Sequence, residues 1–172
     1  RSSDLIRFNT YVDRDYPDYS FPSREAIMKS VNIFGDYLKF IEDEVADGVN
    51  VEKFAVGSNR QFTLKHNPKP YKGSFEVRNL VGNAEVWTGK GNGKKKMYSG
   101  DTSLFDENMN SCGVLVRYGD FTYYNCGDLG GGNYRSFKSK ERFQESYVAD
   151  VVGKGTVMKN DHHGWKESTN AK

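Results

Sequence analysis

The residues best suited to chemistry stand towards the end of the chain. Asp128 directly follows an apolar segment and a glycine, and His162 and His163 form an adjacent pair further along. Carboxylate oxygens and imidazole nitrogens are common ligands of divalent cations such as zinc. A carboxylate at the end of a buried strand and two imidazoles on a later loop therefore predict a divalent-metal site. The alternative, an ordinary Gly-Asp turn and a solvated histidine loop, stays open.

Three further residues are weaker candidates. His66, the remaining histidine of the three in the chain, stands before a proline-rich turn and is either a turn residue or a metal ligand. Asn108 and Asn110 precede the apolar segment, and their side-chain amides could donate hydrogen bonds to a substrate bound at the predicted metal site. Turn chemistry is the more ordinary explanation of the two asparagines.

The element that must position Asp128 is a β-hairpin over Val114–Asn125. Its two halves, Val-Leu-Val and Phe-Thr-Tyr-Tyr, are rich in β-branched and aromatic residues, which favour strands. Gly119 and Asp120 lie between them and suit a two-residue turn. The second strand of the hairpin would therefore end immediately before the candidate carboxylate.

The hairpin also decides how the two cysteines are placed. With a two-residue turn, Tyr118 faces Phe121, so Cys126 faces Gly113 and not Cys112. Because side chains alternate along a strand, the two thiols would point to opposite faces of the sheet. We expect no disulfide in this register, whereas a three-residue loop would reverse that expectation.

Upstream of the hairpin, the clearest element is a helix that begins after Ser23 as N-cap and stops at Gly48. Its apolar residues recur every three to four positions, which predicts a face packed in the core. These residues are Ile27, Val31, Phe34, Leu38, Ile41 and Val45.

The remaining elements are shorter. Strands are predicted at Arg7–Val12, Glu52–Val56, Gln61–His66, Ser74–Val77 and Glu85–Thr88. Residues 89–111 are predicted to be irregular, a helix is predicted at Lys138–Tyr147, and a last strand at either Asp150–Val152 or Thr156–Lys159. These elements predict an α+β fold, with mixed β-sheet and flanking helices, in a single domain over residues 1–172.

Composition limits the classes of function. The net charge of +2 is too small to support a nucleic-acid partner, and no segment approaches the roughly 18 apolar residues of a membrane span. Positive charge is concentrated in a glycine-rich loop that holds Lys90 and residues 94–96. This loop is either a solvated tip or a patch that steers phosphates, and it does not match a P-loop.

The order of motifs resembles a known family. The run from Ser111 through the hairpin to Leu129 is similar to the later motif region of metallo-β-lactamase-fold hydrolases, in the branch with the ComEC-type DNA-uptake domain and phosphorylcholine esterases. Those proteins continue with a helix, an Asp-Val strand and a His-His-Gly motif followed by Ser or Thr. The corresponding residues are Asp150–Val152, Asp161–Gly164, Ser168 and Thr169.

This resemblance implies an αββα-type fold with two zinc ions in a cleft between two sheets. It implies that Asp128 bridges the ions, that His162 and His163 are the further candidate ligands, either of which can be the one that binds metal, and that Asp128 and His163 are catalytic. The substrate implied is a phosphoester, a phosphodiester or a similar anionic small molecule, and the zinc ions would activate a water.

One departure from the family pattern is large, because the signature His-x-His-x-Asp-His is absent. The expectation is therefore that the chain is a portion of a longer hydrolase, that the missing N- and C-terminal segments complete the site, and that the isolated chain is inactive. Two alternatives are a non-catalytic binding or structural domain and a degenerate hydrolase without a metal site.

Overall fold

The computed structural model describes residues 8–97, 107–130 and 144–164. The chain divides into two compact units, Arg1–Phe54 and Ala55–Lys172. Helices and a mixed β-sheet are both present, which confirms the predicted α+β class. The expectation of one domain over residues 1–172 stays a prediction.

The first unit is a pair of parallel strands joined through two helices. The strands are β1 (Thr10–Asp13) and β2 (Asn50–Lys53), with Thr10 opposite Asn50. Both lie close to predicted strands. Of the predicted strand at Arg7–Val12, residue 7 lies outside the described residues, and the observed strand begins at Thr10.

Both ends of the predicted long helix are confirmed, but its continuity is wrong. The Ser23 hydroxyl accepts from the Ala26 amide at 3.3 Å, and Gly48 ends the helical region with φ +91°. The region is two helices, α1 (Arg24–Ser30) and α2 (Phe34–Ala46), separated by residues 31–33. The break contains Val, Asn and Ile, which all have low helix propensity, so extended backbone competes with the helix there.

The predicted apolar face is buried in both helices except at two of its positions. Val31 is half-buried and Val45 is exposed. Four predicted face residues are buried, and three of them, Ile27, Phe34 and Leu38, pack with Tyr19 in one cluster. The four are Ile27, Phe34, Leu38 and Ile41.

The second unit contains a six-stranded sheet and one helix. Its elements are β3 (Phe75–Gly82), β4 (Glu85–Trp87), β5 (Lys94–Lys96), β6 (Gly113–Tyr118), β7 (Phe121–Asn125), α3 (Gln144–Val152) and β8 (Val157–Met158). The strand order is β5-β4-β3-β6-β7-β8. All neighbouring strands are antiparallel except β7 and β8, which are parallel.

The hairpin and its consequence for the cysteines are confirmed. Tyr118 pairs with Phe121 across the turn, and both cysteines are free. A Cβ added to Gly113 would lie 2.8 Å from the Cys126 sulfur, so Cys126 faces Gly113 as the two-residue turn requires.

Several shorter predictions are corrected. Gln61–His66 is not a strand: the Gln61 side chain accepts from the Ala55 amide at 3.0 Å and from the Asn79 side chain at 2.7 Å, which holds this segment as a loop. The strand predicted at Ser74–Val77 extends to Gly82. Residues 94–96, predicted to be irregular, form β5 because their backbone pairs with β4.

The C-terminal elements also differ in part from the prediction. Helix α3 spans Gln144–Val152, and the start of the predicted helix at Lys138 lies outside the described residues. Asp150–Val152 is therefore helical, and the last strand, β8, falls within the alternative Thr156–Lys159. In the part of the chain that the structure describes, no helix has the length and apolarity to cross a membrane.

Candidate functional site

The parallel pairing of β7 with β8 brings the predicted site residues together. Tyr123 lies opposite Val157 and Tyr124 opposite Met158. The segments that follow two adjacent parallel strands leave the sheet at the same edge. Backbone hydrogen bonds continue the pairing past the strands, from the Lys159 amide to the Tyr124 carbonyl at 2.9 Å.

Asp128 and His163 meet at this edge. The His163 Nε2 atom lies 3.4 Å from the Asp128 Oδ2 atom, and the two side chains are 80% and 35% exposed. The structure therefore brings two of the three predicted ligands into contact, in a position open to solvent.

The sequence around Asp128 explains how the carboxylate is held. The Asp128 amide donates to the Ser111 hydroxyl at 2.9 Å, which fixes the backbone just after β7. A Cβ on Gly127 would lie 2.9 Å from that same hydroxyl, so a glycine is needed for the close approach.

His162 is placed differently from His163. Its backbone amide donates to the Gly127 carbonyl at 3.2 Å, which ties the histidine turn to the segment that holds Asp128. The two imidazole rings lie 6.2 Å apart, centroid to centroid. The backbone of His162 thus joins the histidine turn to the segment before Asp128, while the side chain of His163 contacts the Asp128 carboxylate.

The turn Asp161–Gly164 has a left-handed backbone. The φ angles of His162, His163 and Gly164 are +44°, +55° and +73°. Non-glycine residues rarely adopt positive φ, and such residues concentrate at functional sites because surrounding contacts must impose them. The unusual turn is a reason, independent of the Asp128 contact, to consider the histidine pair functional.

Asp161 anchors this turn in the protein interior. Its side chain is fully buried and accepts a hydrogen bond of 2.8 Å from the Tyr124 hydroxyl. Burial, with smaller contributions from the Glu145 and Asp128 carboxylates, raises the pKa of Asp161 to about 7, although the Tyr124 hydrogen bond and Lys159 oppose this rise. Burial also raises the pKa of Tyr124.

The neighbouring thiol is not a nucleophile near neutral pH. Cys126 is buried, and burial, with the nearby Asp161 carboxylate, raises its pKa to about 12. The thiolate is the reactive form of cysteine, so this side chain serves packing.

A cavity of about 390 Å³ lies beside the buried Tyr124 side chain that bonds Asp161. It lies between α3 and the β7–β8 strands, and Tyr124, Glu145, Val148, Val157 and Met158 are among its lining residues. Its lining is mainly apolar, with the Glu145 carboxylate as its charged group. Because Tyr124 contacts both the cavity and Asp161, the cavity and the histidine turn share one supporting side chain.

The site offers two protein ligands to a metal, fewer than a complete centre needs. Zinc in proteins takes three or four protein ligands. Within residues 8–97, 107–130 and 144–164, no three His, Cys, Asp or Glu side chains are grouped closely enough to hold a metal ion. Asp128 and His163 therefore fit part of a coordination sphere.

The other predicted candidates do not join this pair among the described residues. His66 is exposed in the loop before β3. Asn110 is buried, and its carbonyl accepts from the Asn83 amide at 3.3 Å, which is a structural role at the end of the short Glu107–Asn110 turn. Asn108 lies in the same turn, and its carbonyl accepts from the Ser111 amide at 3.1 Å.

The lysine patch also has structural partners. Lys94 forms an ion pair with Glu85 at 2.6 Å, and the Lys95 ammonium lies 4.4 Å from the centre of the Tyr147 ring. These contacts stabilise the β4–β5 edge and its packing on α3. Residues 94–96 therefore form a strand whose lysines contact protein groups, and not an irregular phosphate-binding loop.

Three residues of the site were missed from sequence. Tyr124, Glu145 and Asp161 form the buried part, and only Asp161 had a visible signal, its position directly before the histidine pair. The alternation of Tyr124 with Cys126 at the end of an apolar strand places Tyr124 inward, but nothing in the sequence indicates its partner.

Comparisons with known proteins add no assignment to this geometry. No family model, curated protein or solved structure matches the chain.

Proposed function

We propose that this chain contributes Asp128 and His163 to the metal centre of a zinc-dependent hydrolase with a metallo-β-lactamase-like fold. The single observation that supports this most is the 3.4 Å approach of the His163 Nε2 atom to the Asp128 carboxylate, where β7 and β8 end. Both side chains are sufficiently exposed for a cation and a substrate to reach them.

Other features of the site support the same proposal. The strained turn presents His163 toward the carboxylate, and the buried hydrogen bond from Tyr124 to Asp161 fixes the start of that turn. A site whose ligands are oriented by a second set of hydrogen bonds is typical of metal centres. The mixed sheet with its helix is compatible with the coarser α+β class to which the proposed fold belongs.

The chemistry follows from the residues present. A bound zinc ion would supply Lewis-acid chemistry, polarising a phosphoryl or carbonyl oxygen and favouring ionisation of a water molecule. Asp128 and His163 would hold the cation, and the left-handed turn would keep the imidazole directed at the carboxylate. The proposed substrate is a phosphoester or a similar anion, and the complete centre would hold two ions.

A second candidate is a non-catalytic binding domain, or a degenerate hydrolase that has lost its metals. It is favoured by one observation, namely that the described residues offer two grouped ligands and not three. In that case the Asp128–His163 contact is an ordinary surface contact of small energetic value, below about 1 kcal/mol.

Zinc binding distinguishes the candidates. We expect the protein to bind zinc, and we expect Asp128→Asn and His163→Gln each to lower the affinity by about tenfold or more, as changes near a metal typically do. His66→Gln is the matched control, since it removes an exposed imidazole elsewhere in the same unit. Isothermal titration calorimetry measures the affinity directly. Equal affinities for all four proteins would exclude the proposed centre.

A further inference from the structure

A second concave surface lies on the same unit and shares no lining residue with the candidate site. It is a groove of about 500 Å³ formed by the loop before β3 and the first residues of that strand. We call it the β3 groove. Its apolar lining consists of Phe62, Leu64, Pro68, Tyr71, Phe75 and Val77.

The apolar surface continues beyond the groove across neighbouring strands. Phe75 lies directly opposite Tyr118 on β6, and Tyr118 lies opposite Phe121 on β7. Directly opposed residues place their side chains on the same face of a sheet. The Tyr118 and Phe121 side chains are 52% and 44% exposed, and the Tyr71 ring lies 5.9 Å from that of Tyr118.

An exposed aromatic surface of this kind marks a place where another molecule binds. Isolated exposed rings are ordinary, but Tyr71, Tyr118 and Phe121 are joined through contact or strand pairing to the lining of the groove. The groove and the aromatic row therefore form one continuous surface.

The loop that forms the groove carries only positive charge. Residues 57–74 contain no Asp or Glu, and all four of their basic side chains are exposed. None of the four forms an ion pair or a side-chain hydrogen bond with another residue that the structure describes. The four are Arg60, Lys65, Lys69 and Lys72.

Two other cations of this unit have carboxylate partners. Lys94 pairs with Glu85 at 2.6 Å, and Arg78 pairs with Glu76 at 2.9 Å. These pairs contrast with the four cations of the loop, of which Lys69 and Lys72 line the groove.

The carboxylate in the groove lining does not compensate the four cations. Glu76 accepts from the Asn59 side chain at 2.7 Å and from Arg78 at 2.9 Å. Burial alone would raise the pKa of Glu76, but these hydrogen bonds and the charges of Arg78 and Arg117 outweigh it and leave the pKa lowered. Glu76 is thus ionised and already bonded, and the rim of the groove stays positive.

We propose that the β3 groove binds a short acidic peptide segment, with apolar side chains on the groove floor and carboxylates paired with exposed cations of the same loop, of which Lys69 and Lys72 line the groove. Short acidic motifs are commonly recognised by clusters of basic side chains beside an apolar surface. This inference is independent of the zinc proposal, since none of its residues belongs to the metal site.

The small number of cations favours a peptide over a longer polyanion. Long polyanions bind through many charge contacts, whereas the loop of the groove carries four cations, of which Lys69 and Lys72 line the groove, on a chain with a net charge of only +2. The aromatic rings of the lining can also stack on planar groups, so a single-stranded oligonucleotide is tested as the competing ligand.

The test is fluorescence anisotropy with labelled peptides of about eight residues, the length of a typical short linear motif. We expect an alternating Leu-Glu peptide to bind, and to bind more weakly as salt is raised from about 0.1 M to 1 M, because screening weakens exposed ion pairs. A Ser-Glu peptide, which lacks apolar groups, and a Leu-Lys peptide, which reverses the charge, should each bind at least about tenfold more weakly.

Charge reversal in the groove provides the second part of the test. The double variant Lys69→Glu/Lys72→Glu should weaken Leu-Glu binding by about tenfold, the combined effect of two lost exposed ion pairs and the new repulsion. The double variant Lys90→Glu/Lys154→Glu makes the same change in net charge at two exposed lysines elsewhere in the unit, and it should alter binding less than about twofold. Far-ultraviolet circular dichroism confirms that both variants are folded.

Three outcomes would overturn the proposal. They are equal effects of the two double variants, equal binding of the Leu-Glu and Ser-Glu peptides, and tighter binding of a single-stranded oligonucleotide or a sulfated oligosaccharide in the same buffer. The last would identify the surface as a site for a different polyanion.

Discussion

The buried carboxyl of Asp161 predicts an unusual pH dependence of stability. Its pKa is about 7 in the folded protein, against an ordinary value of 3.8, with burial as the main cause. Between these two values the unfolded chain has lost the proton and the folded protein has kept it. Asp161 therefore lowers the free energy of unfolding progressively as pH rises from about 4 to about 7, and by a constant amount above that.

The expected size of this effect follows from the two pKa values. Each unit of difference corresponds to about 1.4 kcal/mol, so a shift of about three units predicts a loss of about 4 kcal/mol between pH 4 and pH 8. The variant Asp161→Asn has no proton to lose and retains an oxygen that can accept from Tyr124. Its free energy of unfolding should exceed that of the wild type by an amount that grows over the same pH range.

Urea denaturation at several pH values, with a chelator present, measures the difference. Asp120→Asn is the control, since it removes an exposed carboxyl in the hairpin turn of the same unit. If the difference between Asp161→Asn and the wild type is the same at pH 5 and pH 8, the side chain does not titrate as its burial requires.

Two further predictions concern packing, and urea denaturation measures both. Ile27→Ala should lower the free energy of unfolding by about 3 kcal/mol because Ile27 is fully buried, whereas Ile33→Ala, at a side chain 72% exposed, should change it by less than about 0.5 kcal/mol; similar losses would contradict the described core. Gly113→Ala should cost about 1–3 kcal/mol because the new methyl would lie 2.7 Å from the Val81 side chain and 2.8 Å from the Cys126 sulfur. Adding Cys126→Ala should recover part of that loss, and no recovery would mean that the sulfur is not the obstacle.

The parts of the fold that depend on local chemistry were predictable. The two-residue turn at Gly119 determines the register of the hairpin, and the register determines that Cys112 and Cys126 do not pair. The Ser23 cap and the Gly48 stop are likewise local signals.

The parts that depend on competing contacts were not predictable. Apolar residues recur at helical spacing from α1 into α2, although residues 31–33 are not helical. The spacing of apolar residues indicates which side chains are buried, and it does not show whether the helix is continuous. The segment Gln61–His66 alternates like a strand, but the bonds of the Gln61 side chain to Ala55 and Asn79 hold it as a loop.

The candidate site likewise contains residues that were predictable from sequence and residues that were not. Asp128 and His163 were identified by residue type and motif order, and their contact requires that β8 pair with β7 in parallel. The hydrogen bond from Tyr124 to Asp161, which fixes the start of the histidine turn, joins two residues 37 positions apart. No local sequence pattern predicts that these two side chains meet. The β3 groove was missed because its lining is spread over a predicted strand, Gln61–His66, and the proline-rich turn that follows it, and only the folded loop brings these residues together.

The central claim is that His163 and Asp128 hold a cation, and nuclear magnetic resonance of the imidazoles during a zinc titration tests it most directly. The chain has three histidines, so each ring can be followed separately. We predict that the His163 signals shift or broaden in proportion to added zinc, that Asp128→Asn suppresses this response, and that His66 is unaffected. Signals of His163 that stay unchanged, or that respond no more than those of His66, would contradict the account.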